Sequence, residues 1–163
     1  MVLVDSKRPF FWILALLIAF LAGIIIYQGY QKITDKNTVT IFTGAGKVEI
    51  YVEYATTPEE QQKGLMGRTF LKKNSGMIFI FPDEKIRKFW MKNTLIPLDI
   101  IFIGKNFIIV DIKNAEPCRE DPCKLYKSSK PAKYVLEVNS NFAARNNIKI
   151  GDKAILNEKI LKE

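Results

Sequence analysis

The spacing of apolar and polar residues predicts β-strands throughout the chain after residue 38. In residues 48–54 every second residue is apolar, and two of the three residues between them are glutamates, which is typical of a strand with one buried face. Gly44-Ala45-Gly46 separates this run from the apolar-rich segment Val39–Phe42. We therefore predict that the two runs form a β-hairpin.

Leu98–Ile103 differs from these strands, because it is apolar at odd and even positions alike, except at Asp99. This pattern predicts a central strand with both faces buried and with Asp99 near its beginning. Gly104-Lys105-Asn106 then joins it to Phe107–Ile112 as a second hairpin. The other predicted strands are Met77–Phe81, which ends at Pro82, Phe89–Met91, Lys133–Val138 and Lys153–Leu156.

Two short helices are predicted between the strands. The first has Thr57 as its N-cap, with Glu60 completing a capping box, and it ends before Gly64. The second is a single turn from Phe142, capped within Asn139-Ser140-Asn141. Seven or eight short strands with so little helix predict a single all-β domain, either a sandwich or a barrel.

The N-terminal part of the chain carries a long apolar run. Phe10–Tyr27 has no charged residue and has about the length that a helix needs to cross a bilayer. A cleaved signal peptide would have a shorter apolar core that ends in a small-residue cleavage site; cleavage near Ala22 stays open as the alternative. The predicted organisation is a cytoplasmic segment at residues 1–8, one transmembrane signal anchor at 9–27, a tether at 28–38 and a folded domain at 39–163.

The net charge of +8 is spread along the chain without a long basic run. This spread predicts a solvated basic surface that suits anionic lipid headgroups. Nucleic acid is not a predicted partner, because the basic residues are not interleaved with aromatic residues in a binding motif. Lys7 and Arg8 favour a cytoplasmic N-terminus, although Lys32 and Lys36 follow the apolar run.

The chain contains no histidine. This excludes Ser-His-Asp and Cys-His catalysis, and it excludes histidine-ligated zinc and haem. Any chemistry is left to carboxylates, amines, guanidinium groups, tyrosines, cysteines or a bound metal. No cofactor is predicted.

Cys118 and Cys123 are separated by four residues. In an oxidising compartment such a pair forms a disulfide, whereas a redox-active pair is more often C-x-x-C. We predict a structural disulfide between Cys118 and Cys123. The pairing also favours a position of the domain outside the cytoplasm.

Asp99 and Glu137 are the candidate catalytic carboxylates. Each lies on an apolar predicted strand, where burial raises the pKa of a carboxyl group, and two such groups side by side would serve general acid–base catalysis. The structural alternative for Asp99, which we favour, is that it accepts hydrogen bonds from the backbone or from the amide of Asn93.

Trp90, Lys92, Asn93 and Asp99 crowd into one short run. An aromatic face next to polar tips is typical of a ligand-binding groove, so we predict one here. The alternative is that Trp90 fills the core and Asn93 forms a turn. Arg68 is added as a candidate anion contact, with a surface ion pair as its alternative.

Met66, Met77 and Met91 are the methionines of the predicted domain. Thioether and thiol ligands suit Cu(I), but methionine more often fills gaps in a core, and oxidised cysteines cannot ligate copper. We predict no metal site and keep copper as the alternative.

Several sequence blocks occur in order along the domain: Gly64-Leu65-Met66-x-Arg68, Gly76-Met77-x-Phe79-x-Phe81-Pro82, Phe89 to Ile100, Pro117-Cys118, Asp121-Pro122-Cys123, Pro131-Ala132-x-Tyr134-Val135-Leu136-Glu137 and Gly151-Asp152. Together they resemble the family known as domain of unknown function 192, over residues 48–156. The resemblance implies a compact, jelly-roll-like β-sandwich that is often exported or membrane-anchored. It implies no established activity.

We therefore expect a membrane-anchored, extracytoplasmic domain that binds a small ligand or an envelope protein around Trp90, Lys92, Asn93 and Asp99. The first alternative is a histidine-independent hydrolase or lyase that uses Asp99, assisted by Glu137 or Lys92. The second is a purely structural assembly module without a pocket.

Overall fold

The structure is a computed structural model that describes Ile13, residues 15–26 and residues 37–157. The chain divides into two compact units, residues 1–36 and 37–163. In the first unit Ile13 and residues 15–26 are helical. Across the described residues, no helix has both the length and the hydropathy that a membrane span needs. The predicted anchor and tether fall partly outside the described residues, which leave out 1–12, 14 and 27–36.

The second unit is built mainly from β-strands. The strands described in it are β1 (Thr38–Thr43), β2 (Gly46–Ala55), β3 (Ser75–Lys85), β4 (Lys88–Trp90), β5 (Leu98–Ile103), β6 (Ile109–Ala115), β7 (Leu125–Lys127), β8 (Ala132–Asn139) and β9 (Lys153–Leu156). Two short helices accompany them, α1 (Pro58–Lys63) and α2 (Phe142–Arg145).

Seven of these strands form one sheet in the order β6-β5-β8-β3-β2-β1-β9, and β4 pairs with β7 in a separate small sheet. Neighbouring strands of the large sheet are antiparallel, except for the parallel pair β2 and β3. The large sheet is curled into a half-barrel, and one isolated bridge joins Ile108, next to β6, to Lys153 of β9. The predicted mostly-β fold with few short helices is confirmed. The strands form one curled sheet, however, where the sandwich prediction expected two facing sheets.

The curled sheet has a hydrophobic core on each face. The inner core draws side chains from all seven strands, for example Ile50, Ile101 and Leu136, and α2 adds Phe142 to it. The outer core lies against β3, β5 and β8. Three segments cover it, residues 64–73, 86–97 and 116–131, which we call the cover layer; they contribute Leu65, Leu71, Phe89, Met91, Ile96, Cys118 and Tyr126 to the outer core.

Local signals placed most of the elements correctly. Both predicted hairpins are present as β1–β2 and β5–β6, and all six residues of β5 are buried. At the start of α1, the Thr57 hydroxyl accepts a hydrogen bond from the Glu60 backbone, and the Glu60 side chain accepts one from the Thr57 backbone. The predicted capping box is therefore confirmed.

Several strands differ from the prediction: β4 was expected at Phe89–Met91 and β6 at Phe107–Ile112. Strand β3 does not end at Pro82 but continues to Lys85, and its pairing with β8 is irregular between Ile80 and Lys85. Because proline cannot donate a ladder hydrogen bond, it is tolerated at such an irregularity. Strand β7 was not among the predicted strands, and it pairs with β4.

The predicted disulfide between Cys118 and Cys123 is present. It closes a short loop of the cover layer, and the Cys118 backbone N–H donates to the Met91 carbonyl at 3.3 Å. The Lys92 ammonium lies 3.3 Å from the Asp121 carboxylate inside the same loop. The disulfide loop thus braces the segment that follows Trp90.

We expect replacement of Cys118 and Cys123 by serine to lower the free energy of unfolding by about 2 kcal/mol, because a bridge across a short loop removes limited entropy from the unfolded chain. Urea unfolding of the full chain in detergent micelles measures this loss. Dithiothreitol should reproduce the loss in the wild type and have no effect on the double variant. Equal stability of the two proteins would show that the bridge does not stabilise the domain.

Candidate functional site

Asp99 lies near the beginning of β5 and is 3% exposed. One carboxylate oxygen accepts hydrogen bonds from the Asn114 side chain at 2.9 Å and from the Asn141 backbone at 3.1 Å. The other accepts one from the Ala143 backbone at 2.9 Å. The side chain of Asn141, the N-cap residue of α2, makes no capping hydrogen bond. Asp99, on strand β5, accepts the hydrogen bonds that cap the helix instead. Its amide partner is Asn114, and the predicted partner Asn93 lies in a separate turn.

Glu137 is the other buried carboxyl group of interest. It lies on β8, is 5% exposed, and its register partners on the neighbouring strands are Met77 and Ile100, both in the outer core. Burial in this apolar layer raises the pKa of Glu137 to about 8. Within the described part of the chain, its carboxyl group has no hydrogen-bond or ion-pair partner.

Glu137 lines a small cavity of about 30 Å³, and we call it the Glu137 cavity. Its walls come from the end of α1, from the cover layer and from the sheet; the lining residues are Gln61, Gln62, Lys63, Gly64, Leu65, Met66, Phe79, Phe89, Trp90, Thr94 and Glu137. Trp90 is 44% exposed, so it forms part of the solvent-facing rim. A cavity of this size holds about two water molecules at most.

Aromatic rings keep the floor of the Glu137 cavity apolar. The Phe79 and Phe89 rings meet edge to face with centroids 5.0 Å apart, and Phe89 meets Phe102 in the same way at 6.0 Å. At the wall, Gly64 has φ 46°, and a Cβ there would lie 3.2 Å from the Phe79 ring and 3.9 Å from a Glu137 carboxyl oxygen. Only glycine fits this position without strain or loss of cavity space.

The structure does not bring Asp99 and Glu137 together. Asp99 pairs in register with Val138, and Ile100 pairs with Glu137. Because successive side chains of a strand point to opposite faces, Asp99 points to the inner core and Glu137 to the outer core. A two-carboxylate catalytic site made of this pair is therefore absent.

The residues predicted around Trp90 separate into two groups. Trp90 lines the Glu137 cavity, and the Lys92 ammonium lies 5.8 Å from the centre of its ring. Asn93 is exposed, has φ 57°, and its carbonyl accepts a hydrogen bond from the Gly67 backbone at 2.9 Å. Trp90 thus lies at one site with Glu137, and Lys92 contacts Trp90 and pairs with Asp121 without lining the cavity. Asn93 occupies a turn and Asp99 caps a helix.

Arg68 and the methionines lie in different surroundings. The Arg68 guanidinium forms a two-bond ion pair with Glu53, one bond being 2.8 Å long, which is the surface pairing considered as its alternative role. Met77 and Met91 are buried in the outer core, and Met66 lines the Glu137 cavity. Among the described residues, no group of three or more His, Cys, Asp or Glu side chains is arranged to hold a metal ion.

Gly64, Phe89 and Thr94 were not predicted as site residues although they line the Glu137 cavity. Phe89 and Thr94 lie in the same short stretch as Trp90, where residue types that suit a binding site are concentrated. This concentration is the sequence signal that could have identified them. Gly64 was recognised only as a helix terminator. Its position next to Glu137 depends on how α1 packs on the sheet, and no local pattern encodes that packing.

A family model described as DUF192, Uncharacterized ACR, matches residues 40–156. No curated protein matches the chain. Among solved structures, the chain is similar to a protein of unknown function from Novosphingobium aromaticivorans DSM 12444, with 41% identity, a TM-score of 0.68 and coverage of 72% of this chain and 83% of that one. It is also similar to a protein of Sinorhizobium meliloti 1021 that is provisionally described as a transcription regulator, with 33% identity, a TM-score of 0.69 and coverage of 74% and 93%.

Proposed function

We infer the function of this protein from one premise, that the chain belongs to the uncharacterised DUF192 family. Membership of this family implies no activity, so the proposal rests on the geometry around Glu137 and Trp90. We propose that the domain binds a small ligand whose polar end enters the Glu137 cavity and whose apolar part contacts Trp90. The same geometry would accept a side chain of an envelope protein.

One observation carries this proposal: Glu137 is a buried carboxyl group with no partner in the described part of the chain, and it lines a cavity. Buried polar groups in proteins are as a rule hydrogen-bonded, because leaving one without a partner destabilises the folded state. A polar atom brought in by a ligand supplies the missing bond. Polar groups that destabilise the folded state of the free protein are typical of binding and catalytic sites.

The chemistry of the cavity narrows the class of ligand. Since burial raises its pKa to about 8, Glu137 carries a proton at neutral pH and donates a hydrogen bond to a carbonyl, hydroxyl or carboxylate oxygen. The cavity volume of about 30 Å³ admits only a few heavy atoms. The rest of the ligand must lie outside, where Trp90 offers an aromatic face.

We also propose that residues 9–27 anchor the chain in a membrane with the domain outside the cytoplasm. The apolar run Phe10–Tyr27 supports the anchor. The disulfide between Cys118 and Cys123 supports an oxidising, extracytoplasmic location.

Ligand-observed NMR of the full chain in detergent micelles tests the binding site, with benzyl alcohol, benzamide, phenylacetate and the oxygen-free control toluene as probes. We expect an oxygen-bearing probe to bind and toluene not to bind. Glu137→Met keeps the side-chain length but removes the donor, so it should weaken binding at least tenfold, about 1.4 kcal/mol. Glu137→Gln, which still donates, should retain binding.

Trp90→Ala should weaken the same probe several-fold, because it removes the aromatic contact. Glu49→Met, an exposed change on β2, serves as the matched control and should bind like the wild type. Absence of binding by every probe, or unchanged binding to Glu137→Met, would contradict the proposal.

A second candidate function is catalysis by a histidine-independent hydrolase or lyase. The raised pKa of Glu137 favours it, because a general acid that carries a proton at neutral pH is efficient. Asp99 points to the inner core, however, so Glu137 and Lys92 would have to act without it. Turnover of a bound probe in the NMR experiment would favour catalysis over binding alone.

A further inference from the structure

The segment before β3 exposes a large aromatic side chain between basic residues. Phe70 is 68% exposed, and Lys72 and Lys73 follow it in the chain. Aromatic side chains flanked by basic residues are typical of segments that lie at the surface of an anionic membrane. Leu95, in another segment of the cover layer, is 58% exposed.

Phe70 lines two shallow surface depressions. One is also lined by Arg68 and Glu53, and the other by Lys73, Glu116 and Arg145. Glu53 is neutralised by its ion pair with Arg68. Lys72, Lys73 and Arg145 form no side-chain hydrogen bond or ion pair with any other described residue. We call Phe70, Lys72, Lys73 and Arg145 the Phe70 surface, and its unpaired charge is predominantly positive.

The Phe70 surface lies beside the point where the chain arrives from residues 1–36. The Asn37 carbonyl accepts a hydrogen bond from Val52, and the Asn74 carbonyl accepts one from Tyr51, both at 2.9 Å. Since Tyr51 and Val52 are consecutive residues of β2, Asn37 and Asn74 flank the same point of the sheet. Asn74 directly follows Lys73.

Chain length limits how far this end of the domain can lie from the proposed anchor. Ten residues, 27–36, separate the described helical residues from Asn37, and a fully extended chain of that length spans at most about 35 Å. If the apolar run lies in a bilayer, as the proposed function requires, Asn37 stays within about that distance of the last described helical residue.

We propose that the Phe70 surface binds the anionic lipid headgroups of the membrane that holds the chain. This inference rests on the anchor in the proposed function but not on the Glu137 cavity. Phe70 enters the interface between headgroups and acyl chains. Lys72, Lys73 and Arg145 contact lipid phosphates, because positive side chains within a Debye length of an anionic membrane are attracted to it.

Fluorescence quenching in vesicles tests the proposal with the full chain. Thr69→Cys, next to Phe70, and Ala45→Cys, in the exposed turn between β1 and β2 at the far end of β1 from Thr38, are each labelled with an environment-sensitive dye; the native cysteines stay in their disulfide. The proteins are reconstituted into phosphatidylcholine vesicles with or without phosphatidylglycerol, with a quencher on the lipid headgroup.

We expect several-fold stronger quenching at position 69 than at position 45 in vesicles that contain phosphatidylglycerol. Added salt, the uncharged vesicles and the change of both Lys72 and Lys73 to Glu should each reduce quenching at position 69 toward the level at position 45. Equal quenching at the two positions, or quenching at 69 that is insensitive to these changes, would overturn the proposal. A surface that binds a protein and not lipid predicts the first of these results, equal quenching at the two positions.

Flotation of the same samples through a density gradient distinguishes a failure of the proposed anchor from a failure of the proposed lipid contact. If the chain floats with the vesicles at high salt and position 69 is not quenched, the anchor stands and the Phe70 surface does not bind lipid. If the chain does not float at high salt, the anchor is wrong and the lipid contact is overturned with it.

Discussion

Replacing Asp99 by alanine should lower the free energy of unfolding by about 3 kcal/mol, because it removes the cap of α2 and leaves buried donors without an acceptor. The donors are the backbone N–H groups of Asn141 and Ala143 and the side-chain amide of Asn114. Urea unfolding of the full chain in detergent micelles, followed by circular dichroism, measures the loss.

Two further variants make this result specific to Asp99. Asp99→Asn keeps one acceptor oxygen and should cost less than Asp99→Ala. Asp121→Ala removes an exposed carboxylate that pairs with Lys92, and it should change stability by less than about 1 kcal/mol. A loss at Asp99 no larger than the loss at Asp121 would show that the capping contacts do not hold α2. Binding of the oxygen-bearing probes should survive in Asp99→Asn, because Asp99 points away from the Glu137 cavity.

The position of Asp99 was predictable, while its role was predictable only in outline. An apolar run interrupted by one aspartate places that residue on a buried strand, and the structure confirms it. Its partners lie 15 to 44 residues further along the chain, so their identity depends on the packing of β5, β6 and α2. For this reason the sequence suggested a nearby amide, Asn93, where the structure uses Asn114.

Elements set by neighbouring residues were predicted well. The β1–β2 hairpin and the α1 capping box depend on spacing within a few residues. The parallel pairing of β2 with β3 and the antiparallel pairing of β5 with β8 join distant segments, and they decide whether strands form a sandwich or a curled sheet. Without those pairings the sequence was compatible with either arrangement.

Glu137 shows why the candidate site was only partly predictable. Its strand was recognised from apolar residues, but the face that it occupies is buried by the cover layer. That layer consists largely of turns and loops, and such segments lack the periodicity that marks a buried strand or helix. Trp90 was found because residue types that suit a site crowd around it in sequence. Its contact with the same cavity as Glu137 is a product of tertiary packing alone.

The stability of the wild-type protein should fall by about 5 kcal/mol between pH 4.5 and pH 8 because of Glu137 alone. Its pKa is raised from 4.5 to about 8 by burial, so in this range the folded state keeps a proton that the unfolded chain releases. The contribution is therefore fully present below pH 4.5, is lost as the pH rises to 8 and is constant above that. Urea unfolding at a series of pH values measures it.

Glu137→Gln should remove this component of the pH dependence, because the amide stays neutral in both states. The variant should consequently be more stable than the wild type at pH 8, with a difference that shrinks steadily toward pH 4.5. Glu49→Gln removes an exposed carboxyl group and controls for the change in net charge. If the free energies of unfolding of the wild type and of Glu137→Gln differ by the same amount at every pH in this range, the carboxyl group is hydrated or partnered in solution. In that case the observation that carries the proposed binding site would no longer hold.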